Sequence, residues 1–212
     1  MSLRDLFNRR RYRQPMRRVA LILMQFGVTG EMVAIVGMLF GILAGLSFMG
    51  TREPKLTELF WVLGTLFCLI RIACIRVDSY LSNFSTKQSV EEIFFTELPE
   101  RVSDAVTIIG FGFAAHSSPW LGLACALTAI FSAYVRSIGF MRGAGKKKSA
   151  SGPMTRVHRL ILITTTSILM SLNIPGAALQ TPIPQIALWV MLIGCLATIL
   201  IRWFNIKEFD ET

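Results

Sequence analysis

Ionisable side chains inside or at the ends of long apolar runs are costly, so the ones a chain keeps are its first candidates for chemistry. Two groups stand out here. The first contains Arg71, Arg76 and Asp78, followed by Glu97, Glu100, Arg101 and Asp104. On a helix, Glu97, Glu100 and Asp104 share one face at i, i+3 and i+7, and Asp78 sits at similar depth on the helix before. Carboxylates converging from two helices can hold Mg²⁺, a hard ion that uses few protein carboxylates and keeps ligand phosphates in its shell. A structural reading fits equally well. Acids in a first helical turn with Pro99 near N1 suit the helix dipole, and Arg71 or Arg101 can neutralise Asp78. Spacing alone does not separate the two.

The second group runs Arg136, Gly139, Arg142, Gly143 to Lys148, Gly152, Pro153, Met154, Arg156, His158 and Arg159. A glycine-bearing cationic loop between two apolar segments can cradle phosphate, with arginine as a planar clamp. The run Lys146 to Lys148 is explained as well by attraction to anionic lipid. His158 has no histidine or cysteine near it in sequence and is a poor metal ligand.

The elements that must carry these groups are membrane helices. The chain has 212 residues, 53% hydrophobic and 17% charged, against about 25% charged in soluble domains. Its 22 basic residues outnumber 13 acidic ones, but they cluster between apolar runs. That pattern fits anionic headgroups or phosphate-bearing substrates and argues against nucleic acid. Cys68, Cys74, Cys125 and Cys195 all lie in apolar stretches without paired spacing and read as buried small hydrophobes.

Six spans are expected near Met32–Phe48, Leu59–Leu81, Arg101–Ala115, Trp120–Phe140, Leu160–Leu172 and Ile183–Ile201. Before them, Met16 to Phe26 reads as an amphipathic helix lying in the interface, ended by Gly27 to Gly30. The expected fold class is therefore an all-α membrane protein, six transmembrane helices preceded by an interfacial amphipathic helix. Its parts are a basic cytoplasmic N-terminus (1–31), a six-helix membrane domain (32–204) and a cytoplasmic tail (205–212). With the N-terminus inside, 20 of the 22 lysines and arginines fall on the cytoplasmic side, and only Arg52 and Lys55 fall outside. Gly37, Gly41 and Gly45 form a small-residue stripe suited to close helix packing.

At the charged segments the sequence resembles the CDP-alcohol phosphatidyltransferases. Their pattern D-x-x-D-G-x-x-A-R, a short spacer and G-x-x-x-D-x-x-x-D falls here on Ile75, Asp78, Ser79, Ser82 and Asn83, then Glu92, Thr96 and Glu100. Only Asp78 is identical, and Glu100 is conservative. The flanks add to the likeness. They are Arg71-Ile-Ala-Cys74 before Asp78, Glu97-Leu-Pro-Glu-Arg101-Val-Ser-Asp104, Ala133-Tyr-Val-Arg136, and Gly152-Pro-Met154 with His158-Arg159.

The resemblance implies transfer of a phosphatidyl or similar phosphoalcohol group from a CDP-alcohol lipid to an acceptor hydroxyl, releasing CMP, in phospholipid biosynthesis. It implies Mg²⁺ or Mn²⁺ held by motif acids, with the last acid as base. Here Asp78 and Glu100 become the metal ligands, assisted by Glu97 or Asp104, and Glu100 the base. Arg71, Arg76, Arg136 and Arg159 are the candidates for substrate phosphate. It further implies an inner-membrane location, cytoplasmic termini and a homodimer. The departures at Ile75, Ser79, Ser82, Asn83, Glu92 and Thr96 make a full two-metal site unexpected. They keep open a second reading, a catalytically inactive protein that binds CDP-lipid or pairs with an active paralogue. A small transporter would instead place acids at mid-membrane depth.

Overall fold

The computed structural model describes residues 22–81, 90–141, 151–172 and 182–210, excluding the side chains of 90–96, 140 and 208–210. The Arg142–Lys148 loop, Ser82, Asn83, most of the expected interfacial helix and the side chains of Glu92 and Thr96 therefore lie outside the described residues. The described elements are helices: α1 Gly30–Gly50, α2 Thr57–Leu81, α3 Val90–Gly112, α4 Pro119–Met141, α5 Arg156–Ser171 and α6 Ile183–Asp210.

Local chemistry fixes where α1 begins. A helical turn over 22–25 ends at Gly27, whose φ of +74° is open to glycine at no steric cost. Thr29 then caps α1, its hydroxyl accepting from the Met32 amide at 3.4 Å. Leu23 and Val28 pack against Val33, Val77 and Leu81, tying this approach to the ends of α1 and α2.

Helix α1 lies against α2 and α3, α2 against α5, α3 against α4, and α4 against α6. The glycine stripe makes the first contacts close. A Cβ on Gly37 would stand 3.2 Å from Cys74 Cβ, and one on Gly45 2.6 Å from the Val106 carbonyl oxygen. With no Cβ in the way, Thr107 donates to the Gly41 carbonyl across the α1–α3 seam at 2.9 Å. At the far end of the bundle, Phe48, Trp61 and Phe111 form an aromatic core, with ring centroids 5.3 to 6.1 Å apart.

Four helices, α1, α2, α4 and α6, are long and apolar enough to cross a membrane by length and composition. Helix α3 is long enough, but Glu97, Glu100, Arg101 and Asp104 interrupt it. Helix α5 has 16 residues, about 24 Å at 1.5 Å per residue, short of the roughly 30 Å hydrocarbon thickness. Bounds also differ from the sequence expectation. Helix α3 starts at Val90 rather than Arg101, and Pro99 lies inside it. The polar residues that suggested an end are charged turns of a continuing helix, so the first-turn dipole reading of Glu97 and Glu100 does not hold.

Candidate functional site

The charged residues meet at one end of the bundle. Four helix segments contribute: the start of α1, the end of α2, the middle of α3 and the first turn of α5. A narrow cleft there is lined by Val33, Ala34, Gly37, Arg71, Cys74, Ile75, Asp78, Glu100 and Arg156. The sequence-expected pair Asp78 and Glu100 thus shares a cleft, and so does Ile75, which offers an alkyl group where the motif calls for a ligand.

Asp104 is the hub beside the cleft. It is 6% exposed, and both its oxygens are engaged by arginines. Arg71 and Arg156 reach Oδ1, the latter through Nε at 3.3 Å, and Arg159 reaches Oδ2 at 3.3 Å. Arg156 also pairs with Glu100 Oε2, so its guanidinium bridges two acids one helical turn apart. Glu97 pairs with Arg101 on the outer side of α3. This arrangement differs from the expectation that Glu97 and Asp104 assist a metal, because arginines already hold both.

Arg71 is a tie between helices. It is 1% exposed and donates to the Gly37 carbonyl at 3.0 Å, to the Ser103 hydroxyl and to Asp104. Those bonds join α1, α2 and α3, and they leave little of the guanidinium for a substrate. Arg159 is buried as well, with Cys195 Sγ at 4.0 Å as a second partner. Arg76 and Arg136 are exposed, and neither lines the cleft. Ser79 is exposed and bonds back to the Ile75 carbonyl at 2.8 Å. Among the described residues, Asp78 differs from Arg71 and Arg159 in making no ion pair, although their Nε atoms also lack a partner. It is buried, and its Oδ1 has no hydrogen-bond partner. The start of α1 presses on it, since a Cβ on Gly30 would stand 3.0 Å from that oxygen.

Does this donor set fit a resident divalent metal? Among the described residues, no three His, Cys, Asp or Glu side chains converge to hold one. Asp78 offers a buried unpartnered oxygen, while Glu100 through Oε2 and Asp104 through both oxygens meet guanidinium groups. The residues as placed do not fit the expected Mg²⁺ or Mn²⁺ site.

Several residues here were not singled out as site candidates. Arg156 falls within the Gly152–Arg159 flank, at a position where the resembling segment also carries a cation, and otherwise reads as one of many loop cations. Its signal is the i, i+3 spacing to Arg159 at the start of a helix. Ser103 stands one residue before Asp104. Arg202, on α6, is 5% exposed and donates to Ser132 O at 2.6 Å and Ser151 O at 2.9 Å. An arginine directly after the expected end of the last span, at Ile201, was its only signal.

No protein-family model matches the chain, and no curated protein matches it. Solved structures do. One is phosphatidylinositol phosphate synthase (PgsA1) of Mycobacterium tuberculosis in complex with manganese and citrate. Its TM-score is 0.69 at 15% identity, covering 91% of this chain and 88% of that one. The same enzyme with CDP-DAG bound gives a TM-score of 0.66 at 15% identity, covering 91% and 94%. Across nine-tenths of its length, the chain has the fold of a CDP-alcohol phosphatidyltransferase, the architecture its sequence resemblance implied.

Proposed function

We propose that this chain works in phospholipid biosynthesis at the inner (cytoplasmic) membrane, as a six-span protein with both termini in the cytoplasm. It takes a CDP-linked lipid or alcohol at the charged end of the bundle and passes the phosphoalcohol group to an acceptor hydroxyl. The acceptor oxygen attacks the phosphorus on the alcohol side of the diphosphate. The bond from that phosphorus to the bridging oxygen breaks, and CMP leaves with the electron pair. Glu100, whose carboxylate Arg156 orients, takes the hydroxyl proton. Arg136 and Arg159 supply positive charge for phosphate at this end.

One observation carries the reading. The fold matches a structure with CDP-DAG bound over almost its whole length, and this chain's Asp78 and Glu100 line a single cleft. Ile75 in the same cleft favours a second reading, in which the protein binds CDP-lipid and transfers nothing.

The test is radiolabelled CMP release from CDP-diacylglycerol by the purified full chain, with a panel of acceptor alcohols, in Mg²⁺, Mn²⁺ and EDTA. Release that Glu100→Gln lowers by about 10²–10⁴-fold, typical of losing a general base, supports transfer. Binding without release from any acceptor supports the second reading. Absence of both rejects the two together.

A further inference from the structure

In this fold two of the acids that would face a cation, Glu100 and Asp104, are already met by the chain's own arginines. Arg71, Arg156 and Arg159 pair with Glu100 and Asp104, Asp78 lines the same cleft unpaired at Oδ1, and these six groups are neutral together when all are ionised. A resident divalent ion would leave two uncompensated positive charges among apolar walls, where burying unpaired charge is strongly unfavourable. The first and third motif positions, Ile75 and Thr96, supply no charge to change that sum.

We propose that Arg156 occupies the cation's place, and that the site holds no resident divalent metal. Its guanidinium bridges Glu100 Oε2 and Asp104 Oδ1, joining two carboxylates as a shared cation would. Arginine suits the task because its planar fork contacts two acids at once and it does not lose its proton. The backbone behind it is pinned. Gly152 turns at φ +132° against Thr198, the Met154 amide donates to Thr198 Oγ1 at 2.9 Å, and Thr155 and His158 cap the helix reciprocally. Arg156 and Arg159 also sit in the first turn of α5, the end where the helix dipole disfavours cations. No acid lies in that turn, so Glu100 and Asp104 of α3 are what hold the two cations there. A consequence, resting on the function proposed above, is that the donor's diphosphate is received without a metal already in place.

The experiment is a Mn²⁺ titration of the full chain in non-ionic detergent, reading free Mn²⁺ by electron paramagnetic resonance. The wild type is expected to take up no stoichiometric Mn²⁺. Arg156→Gln frees Glu100, while Asp104 stays with Arg71 and Arg159, and the variant is expected to bind about one ion per chain between Asp78 and Glu100, at least about tenfold tighter. Adding Asp78→Asn to that variant should abolish the gain. Stoichiometric uptake by the wild type that Asp78→Asn removes would overturn the proposal, as would absence of uptake by a folded Arg156→Gln. If that variant does not fold, wild-type unfolding temperature in EDTA and in Mn²⁺ decides. Equal values support the proposal, and a rise in Mn²⁺ that Asp78→Asn removes overturns it. CDP-diacylglycerol binding in EDTA is read on the same samples. Its absence rejects the functional reading and leaves the Mn²⁺ result standing.

Discussion

Asp78 and Asp104 are both buried carboxylates, on neighbouring helices, and their surroundings are opposite. Asp104 balances three guanidinium groups, and removing it strands buried positive charge. Asp104→Ala is therefore expected to destabilise the folded protein by about 3–5 kcal/mol, measured by thermal unfolding in detergent. Asp78 has an oxygen with no partner. Asp78→Asn is expected to leave stability within about 1 kcal/mol of the wild type while CMP release falls, so activity and stability separate at this residue. A parallel loss of both would show that Asp78 is structural. Types and spacing pointed to both acids, but not to their different roles. That difference depends on which arginines approach, and Arg156 and Arg159 reach α3 from more than fifty residues away in sequence.

At the scale of elements, the glycine stripe on α1 determines how closely the charged helices approach. A Cβ on Gly41 would collide with the Ser103 side chain and stand 2.9 Å from Arg71 Nη1. Gly41→Ala is expected to cost about 1–3 kcal/mol and to loosen the Arg71 tie as well as the seam. Gly27→Ala meets no atom within 4 Å, so its cost comes only from φ +74°, about 1–2 kcal/mol. The stripe was legible because small residues at a four-residue spacing have one common use in apolar helices. The start of α3 was not. Acids and Pro99 look like a boundary when read locally, yet here the helix runs through them because their partners lie on α3 itself and on α2 and α5. The overrun of α6 to Asp210 has a similar cause, with Arg202 and Asn205 bonded to Ser132 and Ser151.

For the whole molecule, charge and hydropathy indicated the architecture better than the motif indicated the chemistry. The all-helical fold followed from apolar run lengths. Four helices meet the length and composition of a span, while α3 and α5 trade apolar residues for the arginine–carboxylate cluster they share. The proposed topology has a direct check. In right-side-out cells, a cysteine replacing Lys55 is expected to react with an impermeant maleimide, and one placed in the 205–212 tail to react only after lysis. The reverse pattern would invert the protein and put the charged cleft on the wrong side for cytoplasmic nucleotide.

Every role proposed for the cleft depends on its receiving a CDP-lipid. The measurement is the unfolding temperature of the purified full chain with CDP-diacylglycerol. A protein that binds it should show a rise that grows with concentration, reaching about 2.7 kcal/mol of added stability at a hundredfold excess over Kd. CMP should compete it away, and diacylglycerol alone should not reproduce it. No shift, or an equal shift with diacylglycerol lacking the nucleotide, would show that the cleft is not a CDP-lipid site.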